Sequence, residues 1–443
     1  MSIRMRAYDL LSGRSSWRCY QTYLKTQWFS PAQMKEFQVA KLRRLLYHCQ
    51  AHVPFYAQVL AENRIDPATV DSPEVLQAFP ILDKSRVRAA YKRFVTDNLG
   101  RLPKVRVGQT GGTTGEPLRF YQDSDAQSSM QGAIFRFNDW MGVDYSAPKI
   151  TVWGGRVADD TWLKRLKKRT RCLLERDEPI DAFRIRPGRF EELKDVFERV
   201  KPQLLQGYCL SIYELARLFD EHGYHPRLAA LVTTVEPLFD EYRPLFRKVF
   251  GCEAFDQYGS SEIKSIAFEC DHHKGLHVCW ERVWAEVEPD GTLILTDLDN
   301  LAFPFIRYKL GDQVRLAAET CACGRRGPVF EKILGRVGNV VIGLDGNRLH
   351  PEYFTHLINE TAISYNRNVR RYQVVQRSRD ELVWQFVADP LTPEDKETLT
   401  GYLRDYLGAM AITIANVPEI PTAPSGKFQY VVSELGEVTT TSQ

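Results

Sequence analysis

The chain is 443 residues long, and no apolar run in it approaches the ~20 residues that span a bilayer. No transmembrane segment is expected. There is no marked excess of charge: 59 Lys and Arg stand against 56 Asp and Glu, a formal balance of +3. That balance gives no electrostatic case for a nucleic-acid partner. Met1–Leu11 is charged and short of an apolar core, so it is not read as a signal peptide. The nine cysteines are scattered and odd in number, unlike a disulfide framework. A reducing, cytoplasmic setting is expected, with free thiols or bound metal. There is no internal repeat and no low-complexity tract. Two nucleotide fingerprints are also missing. No lysine follows the last glycine of Gly108-Gln-Thr-Gly-Gly-Thr-Thr-Gly-Glu-Pro-Leu118, so it is not a Walker A loop. It also lacks the G-x-G-x-x-G spacing of a dinucleotide fold.

What the loop has is glycines that let backbone approach a ligand, interleaved with hydroxyls. Successive N–H groups in such a loop form a nest for an anion. Both flanks, Val105–Val107 and Leu118–Tyr121, alternate apolar and polar residues as strands do. The local pattern fits a phosphate-holding loop between two strands; a plain hairpin turn is the competing reading.

With 44% hydrophobic residues, the chain can bury more than one core, and two or more domains are expected. Residues from Pro31 to about Leu60 are helical in pattern, starting at a Ser30-Pro31 cap. Asp83 opens a short helix. The basic and aromatic run Arg86–Phe94 reads as a solvated helix face rather than a nucleic-acid patch. Helices are expected over Ala126–Asp139, Phe190–Val200, Ile212–Phe219 and Tyr242–Phe250. Strands are expected at Lys149–Trp153, Pro202–Leu205 and Leu228–Thr233. This alternation argues for a parallel α/β sheet. Trp162–Arg171 is strongly basic and reads as an exposed segment, with a membrane surface or acidic partner as the rival.

From Val278 the texture changes to short alternating strands: Val283–Glu288, Leu293–Thr296, Phe305–Tyr308 and Gln313–Leu316. Asp290-Gly291 marks a hairpin. This predicts an antiparallel β unit attached to the core. Past Gly335 a compact α+β unit follows: strand Asn339–Ile342, helix Pro351–Asn359, strands Tyr372–Gln376 and Leu382–Ala388, and helix Pro393–Tyr406.

Four later stretches accompany the glycine loop: Gln257-Tyr-Gly-Ser-Ser-Glu262, Arg307-Tyr-Lys-Leu-Gly-Asp312, Gly335-Arg-Val-Gly-Asn339 and Pro424-Ser-Gly-Lys427. In this order and at these separations they resemble the adenylate-forming superfamily of acyl-CoA synthetases, luciferases and peptide-synthetase adenylation domains. Phe79–Arg86, Gln206-Gly-Tyr208, Thr233–Leu238, Glu269-Cys270, Gly275-Leu-His277 and Cys321-Ala-Cys-Gly-Arg325 extend the likeness. They make the chain similar to the phenylacetate–CoA ligase-like branch, which includes CapK-type proteins and coenzyme F390 synthetases.

The resemblance implies a carboxylate-activating, AMP-forming ligase that uses ATP and Mg²⁺. It implies an adenylation core over 1–335 and a small mobile C-terminal domain over 336–443. Thr110, Gly111, Gly112, Thr113, Thr114 and Gly115 would hold the β- and γ-phosphates. Glu262 would help hold Mg²⁺ beside Gly259, Ser260 and Ser261. Asp312 would accept from the ribose hydroxyls, and Glu236, Pro237 and Tyr258 would frame the adenine. Arg336 would reach ribose or phosphates, and Lys427 would bridge the substrate carboxylate and the α-phosphate. Trp153, Tyr208 and Ser211 would border the acyl pocket.

The family's hinge carboxylate is replaced here by Gly338, and Ile342–Arg348 departs from the usual Lys-x-x-Gly pattern. Coenzyme A is the expected acceptor, and an amine or a sugar hydroxyl the alternative. A catalytically idle nucleotide-binding relative is the third reading, supported by Gly338 and Asn339 alone.

The thiols and imidazoles form a separate constellation. Sulfur and imidazole ligands suit tetrahedral zinc. The expected ligands are Cys270, His277, Cys321 and Cys323, with His273 as substitute for His277. Four protein ligands would make the site structural.

Overall fold

The structure, a computed structural model, describes residues 9, 13–110, 118–154, 176–182, 185, 187–236, 238–334, 341–346, 348–349, 353–354, 357–358, 361, 363–369, 371–420 and 431–435. The N-terminal part is helical. Ser16–Thr26 lies against the long helix Ser124–Trp140, joined by Tyr23 Oη to Ser129 Oγ at 2.7 Å. Helix Pro31–His52 starts at a capping box in which Ser30 and Gln33 exchange side-chain and backbone hydrogen bonds. The helical stretch expected from Pro31 to about Leu60 is made of two helices. Val53 is extended (φ −122°, ψ 99°) because Pro54 follows it, and Pro54 opens a second helix, Pro54–Glu62. Asp83 caps Lys84–Ala89 as expected.

Strands β1 (Arg106–Gln109) and β2 (Arg119–Gln122) pair antiparallel, and the glycine loop joins them. The central sheet then takes β3 (Lys149–Trp153), β4 (Asp177–Asp181), β5 (Leu204–Tyr208), β6 (Ala230–Thr234) and β7 (Ala254–Tyr258), all parallel. β5 and β6 are buried along nearly their whole length, as parallel strands covered on both faces must be. The covering helices are Phe190–Val200, Cys209–Glu221 and Arg243–Phe250, which fill the core with Phe197, Leu215, Phe219, Phe246 and Phe250.

The antiparallel strands are not an attached unit. β8 (Ala267–Glu269), β9 (Leu276–Val278), β10 (Val283–Val287), β11 (Thr292–Asp297), β12 (Tyr308–Leu316) and β13 (Val329–Leu334) continue the same sheet. Its order is β10-β11-β12-β13-β9-β8-β7-β6-β5-β3-β4, 11 strands in all. The strand expected at Phe305–Tyr308 does not form up to Arg307, and the one expected at Gln313–Leu316 starts at Tyr308. Arg307 takes a left-handed φ of 49°, which ends the extended run before Tyr308. β12 then runs through to Leu316, with a register shift against β11 between Thr292 and Ile294.

The C-terminal unit is α+β, as expected. Hairpin β14 (Val341–Ile342) and β15 (Arg348–Leu349) precedes a 4-stranded sheet of β16 (Arg371–Gln376), β17 (Glu381–Val387), β18 (Ala411–Asn416) and β19 (Val431–Ser433), in the order β18-β17-β16-β19. Helix Pro393–Leu407 begins at a Thr392/Asp395 capping box and buries Leu399, Leu403 and Leu407. The expected boundary at 335/336 and the hinge residue Gly338 fall outside the described residues, as does Trp162–Arg171. No described helix is long and apolar enough to cross a membrane.

Candidate active site and metal cluster

Parallel α/β sheets place ligands at the carboxyl ends of their strands. Four of the expected site residues lie there. Trp153 ends β3, Tyr208 ends β5, Glu236 follows β6 and Tyr258 ends β7. The register sets them side by side: Val152 pairs Gly207, Tyr208 pairs Thr234, and Thr234 pairs Gln257. Trp153 is 43% exposed and stands against the buried Tyr208 ring, centroids 4.6 Å apart. Ser211 is buried one turn into the helix that follows. Glu236 Oε2 accepts from the Leu210 N–H at 3.2 Å, so its carboxylate is held at that helix's first turn. Val235, beside it, adopts φ 77°, a strained value for a β-branched residue. Such strain collects at ligand-binding loops.

The antiparallel side brings the other expected residues to the same edge. Tyr258 Oη donates to Asp312 Oδ2 at 2.8 Å. Glu262 is buried, and its Oε1 accepts from Tyr308 Oη at 3.1 Å. Ser260 closes the turn that presents Glu262: its N–H donates to the Ile263 carbonyl, and its Oγ accepts from the Ile263 N–H, both at 2.9 Å. Gly259 fits because a Cβ there would sit 3.0 Å from Ser265 N. Ser261 is exposed.

Thr110 is buried, and it closes the neck of the glycine loop. Its N–H donates to the Leu118 carbonyl at 3.0 Å, and its Oγ1 accepts from the Leu118 N–H at 2.9 Å. Gly111, Gly112, Thr113, Thr114, Gly115, Pro237, Arg336, Gly338 and Lys427 lie outside the described residues. Tyr308 and Gln122, both bonded to Glu262, are candidates that pattern reading misses: Tyr308 lies within Arg307–Asp312 with no signal of its own, and Gln122 carries no local signal.

The four expected metal ligands converge. One ligand atom from each of Cys270, His277, Cys321 and Cys323 lies within 4.8 Å of every other. Cys270 Sγ and Cys321 Sγ are 3.8 Å apart; Cys323 Sγ and His277 Nε2 are 3.4 Å apart. A tetrahedral zinc with Zn–S near 2.3 Å and Zn–N near 2.05 Å requires separations of about 3.8 and 3.5 Å. β9 and β13 create the meeting by pairing Val329 with His277, which brings the β12–β13 turn to the β8–β9 loop. Burial, then the nearby Arg325 and Arg136, lower the His277 pKa to about 4, leaving its imidazole neutral. Burial raises the Cys323 thiol, but hydrogen bonds and charge from Arg325 outweigh it and lower the pKa. His273, the substitute, is not in this cluster; its Nδ1 faces Glu269 Oε1 at 3.0 Å.

The cluster is packed onto the N-terminal helices. Arg325 lies 4.2 Å over the Trp140 ring, and Gln27 Oε1 accepts from both Arg325 Nε and Trp140 Nε1. All eight described cysteines are free.

This sheet and its α+β partner form the fold of the acyl-CoA ligases of the adenylate-forming superfamily. A 2-hydroxyisobutyryl-CoA ligase, solved with 2-HIB-AMP and CoA in its thioesterification state, superposes at TM-score 0.59 and 18% identity, over 93% of this chain and 92% of that one. In the postadenylation state the TM-score is 0.57 at 17% identity, over 92% and 91%. No protein-family model matches the chain. By sequence it is a relative of phenylacetate–coenzyme A ligases and of CapK. The Thermus thermophilus phenylacetate–coenzyme A ligase is 24% identical over 464 residues, 93% of this chain and 99% of that protein. CapK of Staphylococcus aureus is 22% identical over 421 residues, 90% and 89%. The Pseudomonas putida phenylacetate–coenzyme A ligase is 28% identical over 344 residues, 70% and 72%.

Proposed function

We propose that this chain activates a carboxylic acid with ATP, forming an acyl-adenylate and pyrophosphate, and then passes the acyl group to coenzyme A. The observation that supports this is the pairing of Glu262 with Tyr308 and of Tyr258 with Asp312 at the end of the last parallel strand. A carboxylate is a poor acyl donor until its oxygen is bonded to phosphorus. Attack on the α-phosphate builds negative charge on the phosphates, which needs fixed donors and cations. In this reading residues 110–115 hold the β- and γ-phosphates. The Glu262 carboxylate, oriented by Tyr308, takes one coordination position of Mg²⁺, a hard cation suited to oxygen. That cation would supply charge neutralisation when bound. Asp312, held by Tyr258, takes the ribose hydroxyls. Lys427 and Arg336 complete the charge at the reacting end. The acid lies against Trp153 and Tyr208.

Zinc fits the Cys270, His277, Cys321 and Cys323 set in donor chemistry and spacing. All four positions being protein ligands, it would be a structural staple.

The test is pyrophosphate release from ATP across aryl, fatty and amino acids, with hydroxylamine as trap and coenzyme A in parallel. Adenylate and thioester are expected for one acid class. Trapped hydroxamate without thioester would move the acceptor to an amine or hydroxyl. Absence of both, with no ATP binding, would overturn the enzyme reading.

A further inference from the structure

Glu262 is presented by a closed turn that contains a strained residue. The turn leaves β7 at Tyr258 and enters β8 at Ala267. The Ile266 N–H donates to the Tyr258 carbonyl at 3.0 Å, and the bonds between Ser260 and Ile263 close its tip. The backbone returns through Ser265, which is buried and takes a left-handed φ of 54°. A non-glycine residue keeps that conformation only where its surroundings fix it.

The fixing group is the guanidinium of Arg282, a completely buried residue just ahead of β10. Its Nη1 donates to the carbonyls of both Lys264 and Ser265, the latter at 3.1 Å. Its Nε donates to Ser129 Oγ at 2.8 Å, and Ser129 donates in turn to Asp299 Oδ2. Asp299 Oδ2 lies 4.0 Å from Nε and answers the charge. The fork is thus anchored to the helix Ser124–Trp140 on its Nε side and holds the turn on its Nη1 side. Burying a guanidinium is costly, and an apolar side chain would fill the space without that cost. It would leave both carbonyls without their donor. A lysine ammonium lacks the planar fork that serves both ends at once.

Resting on the function proposed above, we infer that Arg282 is a positioning residue: by holding the Lys264 and Ser265 carbonyls it keeps the left-handed bend at Ser265, and so keeps the Glu262 carboxylate where it serves the Mg²⁺ of bound ATP. It acts through the main chain of the turn and leaves the charge of the carboxylate alone.

The experiment is calorimetric titration of a non-hydrolysable ATP analogue into the full chain, with and without Mg²⁺. It compares wild type, Arg282→Lys, Ser265→Gly and the double variant. Lysine keeps the charge beside Asp299 and loses the fork. Glycine takes the left-handed bend without strain, losing only the long bond from Ser265 Oγ to the Met130 carbonyl at 3.5 Å. R282K should bind roughly tenfold more weakly with Mg²⁺ and within about twofold of wild type without it. S265G alone should stay within about twofold of wild type in both conditions. The double variant should regain about threefold of the R282K loss, because its bend no longer depends on the grip. Should R282K not fold, Ser129→Ala removes the Nε anchor and carries the same comparison, with a loss of about threefold that S265G reverses. An R282K protein that binds as wild type does, loses equally with and without Mg²⁺, or gains nothing from S265G would overturn the inference and leave Arg282 a core residue. A wild type that binds the analogue in neither condition would instead remove the function on which the inference rests.

Discussion

The Tyr258 hydroxyl donates to Asp312 Oδ2 at 2.8 Å, tying the end of the last parallel strand to the middle of an antiparallel one 54 residues later. One oxygen of the carboxylate is thereby fixed, and the other faces a set direction. A sheet that changes from parallel to antiparallel at β7–β8 makes the meeting possible, because it turns β12 back toward the strand ends.

Removing that hydroxyl tests the arrangement. Tyr258→Phe deletes one hydrogen bond to a charged group, worth about 1.5 kcal/mol, which corresponds to roughly a tenfold rise in the KM for ATP. The turnover number should change less. Pyrophosphate exchange with varied ATP measures both. An unchanged KM would take Tyr258 and Asp312 out of nucleotide binding.

Much of the architecture was legible because it is written locally. Phe190–Val200 shows its helical period and appears with the same bounds. Lys149–Trp153 was equally plain. β4 was not, because Asp-Glu-Pro-Ile-Asp has no strand pattern and becomes one by pairing with β3. β8 and β9, at three residues each, are too short to carry a period. The candidate metal ligands could be picked out by residue type, with His273 still an alternative to His277 until the fold set Cys270, His277, Cys321 and Cys323 together. The bond from Gln122 to the Glu262 carbonyl could not, because it exists only once β2 lies beside a turn 140 residues away.

The cluster of Cys270, His277, Cys321 and Cys323 predicts one metal per chain by atomic emission. Cys323→Ser should lose it and lower the melting temperature by roughly 5–15 °C, since metal binding adds directly to folding free energy. His277 stands 5.7 Å from the Trp140 ring and Arg325 packs on its face, so tryptophan emission should shift on chelation. A metal-free wild-type protein whose melting point ignores added zinc would dismiss the staple.

Asp256 gives a pH signature. Burial, then the charge of Glu269, raises its pKa from 3.8 to about 7. Between those values the unfolded chain has released the proton and the folded chain retains it, so this group's stabilisation is present below pH 4 and is lost as pH rises to 7. Asp256→Asn carries no such proton. The stability of wild type minus that of the variant should fall across pH 4–7, by on the order of 1–3 kcal/mol, and stay level above it. Urea titrations at four pH values decide the matter, and parallel curves would mean that Asp256 ionises normally.

Gly207 lies on the proposed acyl side of the site, where there is no room for a methyl group. Its φ is 156°, and a Cβ there would lie 2.0 Å from the Val152 carbonyl oxygen and 2.8 Å from Val152 Cβ. Both contacts are with the neighbouring strand β3, itself paired on its other side with β4, so neither can move aside cheaply. Gly207→Ala should cost more than about 3 kcal/mol, from steric overlap and strained backbone together. The damage should also be local in function, because Val152 and Gly207 immediately precede Trp153 and Tyr208. Pushing β3 from β5 separates those rings, so acid KM should rise before ATP KM does. A denaturation curve within 1 kcal/mol of wild type would mean that the two strands do not approach this closely, and the Trp153–Tyr208 wall would have to be placed elsewhere.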